Sequence, residues 1–240
     1  MISLFSIVFI IALLAFAVSV PLNGYFTAAL LRKIYDKRAL YDEQTFYFFD
    51  YFDFVGTFAF LFLGFGWGGI LPVHQGYITG PWRIARTVLA YLAQSLVSIG
   101  IALVAILGSL LLTGKGCVYT ALNIFLTNAL HQSTDDLVWQ LFQQGSHSFA
   151  ACSPHAVTAT LFLTAIIYVQ TAMLCICMVR NFFQAVLYPL QHRLLTHSYS
   201  WIITIAIPLL FCILFYRFFF ALAVAFMIIC IQLLSLCVGA

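Results

Sequence analysis

Long apolar stretches alternate with short polar ones along this chain, and their lengths predict the elements. The first apolar run covers residues 2–31. A helix needs about 20 residues to span a bilayer, so this run is long enough. It has no basic stretch ahead of it and no small-residue cleavage site, and it reads as a retained transmembrane helix rather than a signal peptide. Pro21 lies inside it and predicts a kink or break. The next spans are expected at roughly 54–71, 84–113 and 155–179. Residues 201–238 are too long for one span. They suggest a hairpin of two helices turning at Tyr216-Arg217, or one tilted helix kinked at Pro208.

Polar segments separate these runs. Arg32, Lys33, Lys37 and Arg38, mixed with Asp36, Asp42 and Glu43, form the densest charge cluster. The positive-inside rule favours the cytoplasmic side for it. Tyr41 and the aromatic residues from Phe46 to Tyr51 predict re-entry at the interface. A polar connection of about forty residues is expected over 114–154, with a short amphipathic helix at Asp135–Phe142. Arg180, Pro189, His192, Arg193 and His197 suggest an interfacial piece. The expectation is an all-α polytopic membrane bundle of five to six helices, forming one domain over 1–240.

The most irregular stretch is Phe65-Gly66-Trp67-Gly68-Gly69-Ile70-Leu71-Pro72-Val73, followed by Gly80-Pro81. Backbone that leaves the helix in lipid must find its hydrogen bonds elsewhere. It survives only when buried in protein or lining a polar cavity. This segment is therefore expected to be irregular or extended, close to a cavity or a binding edge.

Composition narrows the class. The 240 residues are 64% hydrophobic and 7% charged, against about 25% charged in soluble domains. An integral membrane protein in contact with the lipid bilayer follows. The net charge of +3 rests on dispersed basic residues, and no nucleic-acid reading motif is present. Of the seven cysteines, five lie in apolar runs, where cysteine acts as a small hydrophobe. Cys117 and Cys152 flank the polar connection and could pair if it faces an oxidising compartment.

Three blocks in order, Pro21 to Leu30 with Ile34-Tyr35-Asp36, Asp53-Phe54-Val55-Gly56-Thr57, and Phe65-Gly66-Trp67 with Pro72-Val73 and Gly80-Pro81, carry a family pattern. Together they resemble the site-2 protease family of intramembrane zinc metallopeptidases. The first stands where that family carries H-E-x-x-H. The second is similar to its "aspartate-proline-x-glycine-threonine" opening of the next helix. The third is similar to its "FGW…P-V…N-P" segment. The resemblance covers roughly residues 10–113, with C-terminal helices expected over 155–240.

The departures from the family are chemical. Its zinc needs two histidines four apart on one helix face, with a glutamate as general base. Here Asn23, Gly24 and Thr27 stand at the two histidine positions and the glutamate position: Asn23 and Thr27 for the ligands, Gly24 for the base. Gln191 is the nearest candidate for the family's downstream aspartate. No two histidines stand at i, i+4. The resemblance thus implies a degenerate relative with no metal, no cofactor and no enzyme activity. Its implied role is to bind a transmembrane client or partner protein through Phe65, Gly66, Trp67, Pro72, Val73, Gly80 and Pro81. It also implies a bacterial-type cytoplasmic membrane.

Asp53, Gln94 and Arg217 remain as ionisable or polar candidates on or between membrane helices. Asn23, Thr27, Gln94, Ser95, Ser98 and Gln170 are expected to face other helices and hydrogen-bond there. Two alternatives belong to other classes: an accessory subunit of a larger membrane complex, or a small-molecule transporter with a path lined by Asp53, Gln94 and Gln170.

Overall fold

The computed structural model describes residues 4–35, 51–63, 68–69, 78–129, 152–194, 225 and 228–237. Five helices lie within them: α1 (Leu4–Ile34), α2 (Phe54–Leu63), α3 (Arg83–Ala129), α4 (Pro154–Leu194) and α5 (Ile228–Cys237). Three contain stretches long and apolar enough to cross a membrane: Val8–Ile34, Arg83–Leu122 and Pro154–Met178. This fits a membrane protein. Of the expected spans at 54–71 and 201–238, the described parts are α2, residues 68–69 and 225, and α5; Arg217 and the Asp135–Phe142 helix lie outside the described residues.

The polarity of α1 is that of a helix in lipid. Its buried positions recur at helical spacing and include Ala15, Phe16, Ser19, Val20, Asn23, Thr27, Ala28 and Leu31. Along the membrane-length part of the helix its exposed positions ahead of Lys33 are mostly apolar: Ile10, Leu14, Val18, Leu22 and Phe26 among them. Lipid tails solvate such side chains, so the polar groups turn inward. α3 and α4 pack most extensively on each other, and α1 lies against both. Small buried residues on α3, such as Ala102, Ala105 and Ser109, and Ala165 on α4 permit close approach. Hydroxyls within the helices bond back one turn: Ser109 donates to the Ala105 carbonyl and Thr164 to the Thr160 carbonyl. Thr113 and Thr160 join α3 to α4 at 2.9 Å.

Several sequence expectations change. Pro21 does not break α1, which is helical from Leu4 through Ile34. Within the span expected at 54–71, the described helix covers Phe54–Leu63, and Gly68 and Gly69 lie outside any helix. Ten residues rise about 15 Å, half of a hydrocarbon core of about 30 Å. Phe52, before α2, then pairs with Gly68, after it, in an antiparallel bridge, and the Gly69 N–H donates to the Tyr51 carbonyl. The chain therefore returns beside its own starting point instead of crossing. Gly68 and Gly69, poor helix formers, suit this non-helical return.

A second contact agrees. The Arg86 guanidinium donates to the Ile34 carbonyl at the end of α1 and to the Thr79 carbonyl at 3.0 Å. The C-terminus of α1 and the N-terminus of α3 thus sit at one end of the bundle, and the segment between them makes no net crossing.

The polar connection expected over 114–154 also differs. α3 continues into its first part, to Ala129, and residues 130–151 lie outside the described residues. Gly114, with φ 75° and ψ 175°, breaks the helical geometry and redirects it. Beyond the break, Cys117, Val118, Ala121, Leu122 and Phe125 join the core. Likewise α4 runs through Pro189 to Leu194, where an interfacial piece was expected.

Gly114 occupies a backbone region open essentially to glycine alone. Nothing lies within 4 Å of a Cβ built there, so any penalty is conformational. Gly114→Ala is expected to lower unfolding stability by roughly 1–3 kcal/mol. Gly100 is helical, with equally open space at its Cβ. Gly100→Ala is expected to raise stability by about 0.5–1 kcal/mol. Thermal unfolding of both variants in the same detergent checks the pair.

Candidate functional site

α1, α3 and α4 each bring polar side chains to one buried layer, through the face-sharing of i, i+3 and i, i+4 positions. α1 contributes Ser19, Asn23 and Thr27, α3 contributes Gln94, Ser95 and Ser98, and α4 contributes Gln170 and Thr171. All are buried. The Asn23 side-chain amide is the hub. Its Nδ2 donates to Ser98 Oγ at 2.7 Å and to Gln170 Oε1 at 3.0 Å. Its Oδ1 accepts from Thr27 Oγ1 at 3.4 Å. Gln170 Nε2 donates to the Ser19 carbonyl at 3.1 Å.

Thr171, the next residue on α4, satisfies its hydroxyl on its own helix at the Ile167 carbonyl. The Ser19 and Ser95 hydroxyls are buried with no hydrogen-bond partner among the described residues.

Beside this layer, the Tyr51 ring lies directly on the α1 backbone at Gly24. A Cβ on Gly24 would fall 2.7 Å from Tyr51 Cε1 and closer still to Cδ1 and Cγ. Real side chains do not approach so closely. Glycine is the residue that admits this ring. Gly68 is held in the same way: a Cβ there would lie 2.6 Å from Val20 Cγ1 and 2.9 Å from the Tyr51 carbonyl oxygen. The Tyr51–Phe52 and Gly68–Gly69 strips are thus laid side by side against the middle of α1. Phe16 stacks on Phe60 with centroids 4.3 Å apart and tilts against Phe52 at 6.3 Å, fixing α2 beside them.

No family model, no curated protein and no solved structure matches the chain.

The structure brings some of the expected site residues together and separates others. Asn23 and Thr27 meet, with Gln170 and Ser98 as partners. Gly24 adjoins them beneath Tyr51. Gln94 is buried one turn along α3 from Ser98. Asp53 is half-buried at the start of α2, where its carbonyl accepts from the Thr57 N–H and the Thr57 hydroxyl, each at 2.8 Å. Gly80 and Pro81 form an exposed turn leading into α3, with Gly80 at φ 80° and Trp82 at φ 66°. Phe65, Gly66, Trp67, Pro72, Val73 and the side chain of Gln191 lie outside the described residues. Among the described residues, no three His, Cys, Asp or Glu side chains gather as a metal site would require.

Sequence reasoning missed three participants. Tyr51 reads as one more member of an aromatic belt. The Ser19 carbonyl carries no sequence signal. Arg86 looks like an ordinary basic residue at a helix start.

Proposed function

We propose that this chain is a membrane-embedded, non-cleaving relative of the site-2 proteases, which holds a transmembrane client or partner without cutting it. The observation that carries the reading is the chemistry of the α1 positions. Asn23 and Thr27, at the positions of the family's two histidines, hydrogen-bond to each other, and Asn23 also bonds to Ser98 and Gln170. Carboxamide and hydroxyl groups are poor zinc ligands. At Gly24, the position of the catalytic glutamate, the Tyr51 ring fills the space a side chain would need. A relative that had lost only its histidines would still keep room for the base.

The transporter alternative draws less support. Gln170, one of the residues expected to line its path, is fully buried, with its oxygen engaged by Asn23 and its nitrogen by the Ser19 carbonyl. Both ends of the amide serve to join helices.

Metal analysis and a cleavage assay on the purified full chain test the proposal together. The expected outcome is zinc far below one equivalent and no cleavage of membrane-spanning substrates. A photo-crosslinking residue at the exposed Gly80 or Pro81 is expected to capture a membrane-spanning protein at its full length. Stoichiometric zinc with cleavage of a membrane substrate would overturn the proposal.

A further inference from the structure

Cys117 on α3 and Cys152 just ahead of α4 bring their sulfurs to 3.7 Å across a gap of 35 residues. Both are thiols in this structure. They sit at the end of the bundle opposite the Arg86 contact. That end is polar: Lys115, Gly116, Ser153 and His155 are exposed there. Cys117 itself is buried, whereas Cys152 is half-exposed.

The two ends differ in charge. Arg32 and Lys33 close α1, and Arg83 and Arg86 open α3 at the same end. Lys37 and Arg38 follow a few residues after Ile34 in sequence. Among the described residues, Lys115 is the basic residue of the other end. Basic residues flanking membrane helices favour the cytoplasmic side. The thiol pair then faces the opposite compartment. In bacterial cells and in the secretory pathway, that compartment is oxidising.

We propose that Cys117 and Cys152 form a disulfide on the non-cytoplasmic face, tying the end of α3 to the start of α4. The oxidant is a protein disulfide of the thiol–disulfide oxidoreductase class. The half-exposed Cys152 attacks first as its thiolate, having lost its proton to solvent. It forms a mixed disulfide and releases one oxidoreductase thiolate, which takes up a proton. Cys117 then loses its proton and attacks the Cys152 sulfur, expelling the second oxidoreductase thiolate, which is protonated in turn. Two protein thiols are oxidised to one disulfide and one oxidoreductase disulfide is reduced to two thiols, so electrons and protons balance. The inference is independent of the protease-like reading.

The test is alkylation of the full chain, trapped in acid from cells and denatured, with mass counting of adducts before and after reduction. The expected result is two fewer alkylated cysteines before reduction than the seven of the sequence. In Cys117→Ser and in Cys152→Ser, every remaining cysteine is expected to react without reductant. Seven adducts in the unreduced wild type would overturn the proposal, as would two cysteines still protected in either variant. Sidedness is read separately, with Ser153→Cys in a Cys117→Ser/Cys152→Ser background. A membrane-impermeant maleimide is expected to label it in intact bacterial cells. Labelling only after the cells are permeabilised would overturn the placement.

Discussion

Gly24→Ala is expected to destabilise this protein, although alanine is the better helix former. Inside a helix, the exchange alone would gain about 1 kcal/mol. Here the new Cβ would fall inside the Tyr51 ring contact, nearest to Cδ1 and Cγ. Those atoms lie at the root of the ring, so rotating the far end of the side chain does not relieve the clash. Either Tyr51 leaves its place or α1 moves away. Overpacking of this kind costs about 1–3 kcal/mol, and Gly24→Glu is expected to cost more. The informative comparison is a cycle with Tyr51→Ala. With the ring removed, Gly24→Ala is expected to be neutral or mildly stabilising, measured by thermal unfolding in one detergent. If Gly24→Ala costs the same with and without the Tyr51 ring, the contact does not explain the requirement for glycine.

The second large effect is expected at the hub of the polar layer. Asn23→Leu removes the donor shared by Ser98 and Gln170 and leaves Gln170 Oε1 buried without its partner. An orphaned buried group costs about 1–3 kcal/mol, though bonds between membrane helices average nearer 0.6 kcal/mol. The single variant is therefore expected to lose about 1–3 kcal/mol. Gln170→Leu is expected to lose a similar amount, since it also strips the Ser19 carbonyl of its side-chain donor. The double variant is expected to fall short of the sum by roughly 0.5–2 kcal/mol, because both changes break the same bond. Strict additivity would show that Asn23 and Gln170 do not depend on each other.

Much of this layer was legible in the sequence. Asn23, Thr27, Ser98 and Gln170 stand out as polar residues in apolar runs, and lipid leaves such groups little choice but another helix. Their partners follow only from the tertiary fold, since Asn23 meets residues 75 and 147 positions away. The lengths of α1 and of the α4 span were likewise readable from hydropathy. The return of the chain at Gly68 was not, because an apolar run ended by glycines looks the same whether it crosses the bilayer or turns back. The continuation of α3 did leave a trace. Cys117, Val118, Ala121, Leu122 and Phe125 keep helical spacing, but Gly114-Lys115-Gly116 reads as a loop and masks it.

The distance in sequence between Asn23 and its partners has a meaning for synthesis. Chains grow at about 5–20 residues per second, and Ser98 is made well before Gln170. For about 2–8 s, α1 and α3 can be complete, α3 ending at Ala129, while the residue that finishes the Asn23 hub is still to be added. During that interval the Asn23 Nδ2 has one of its two final acceptors, Ser98, and lacks Gln170. The newborn helix pair must then be kept from other lipid-borne donors and acceptors until α4 arrives. A slower ribosome, or a chain halted before Gln170, would lengthen the period in which α1 can be captured by the wrong neighbour.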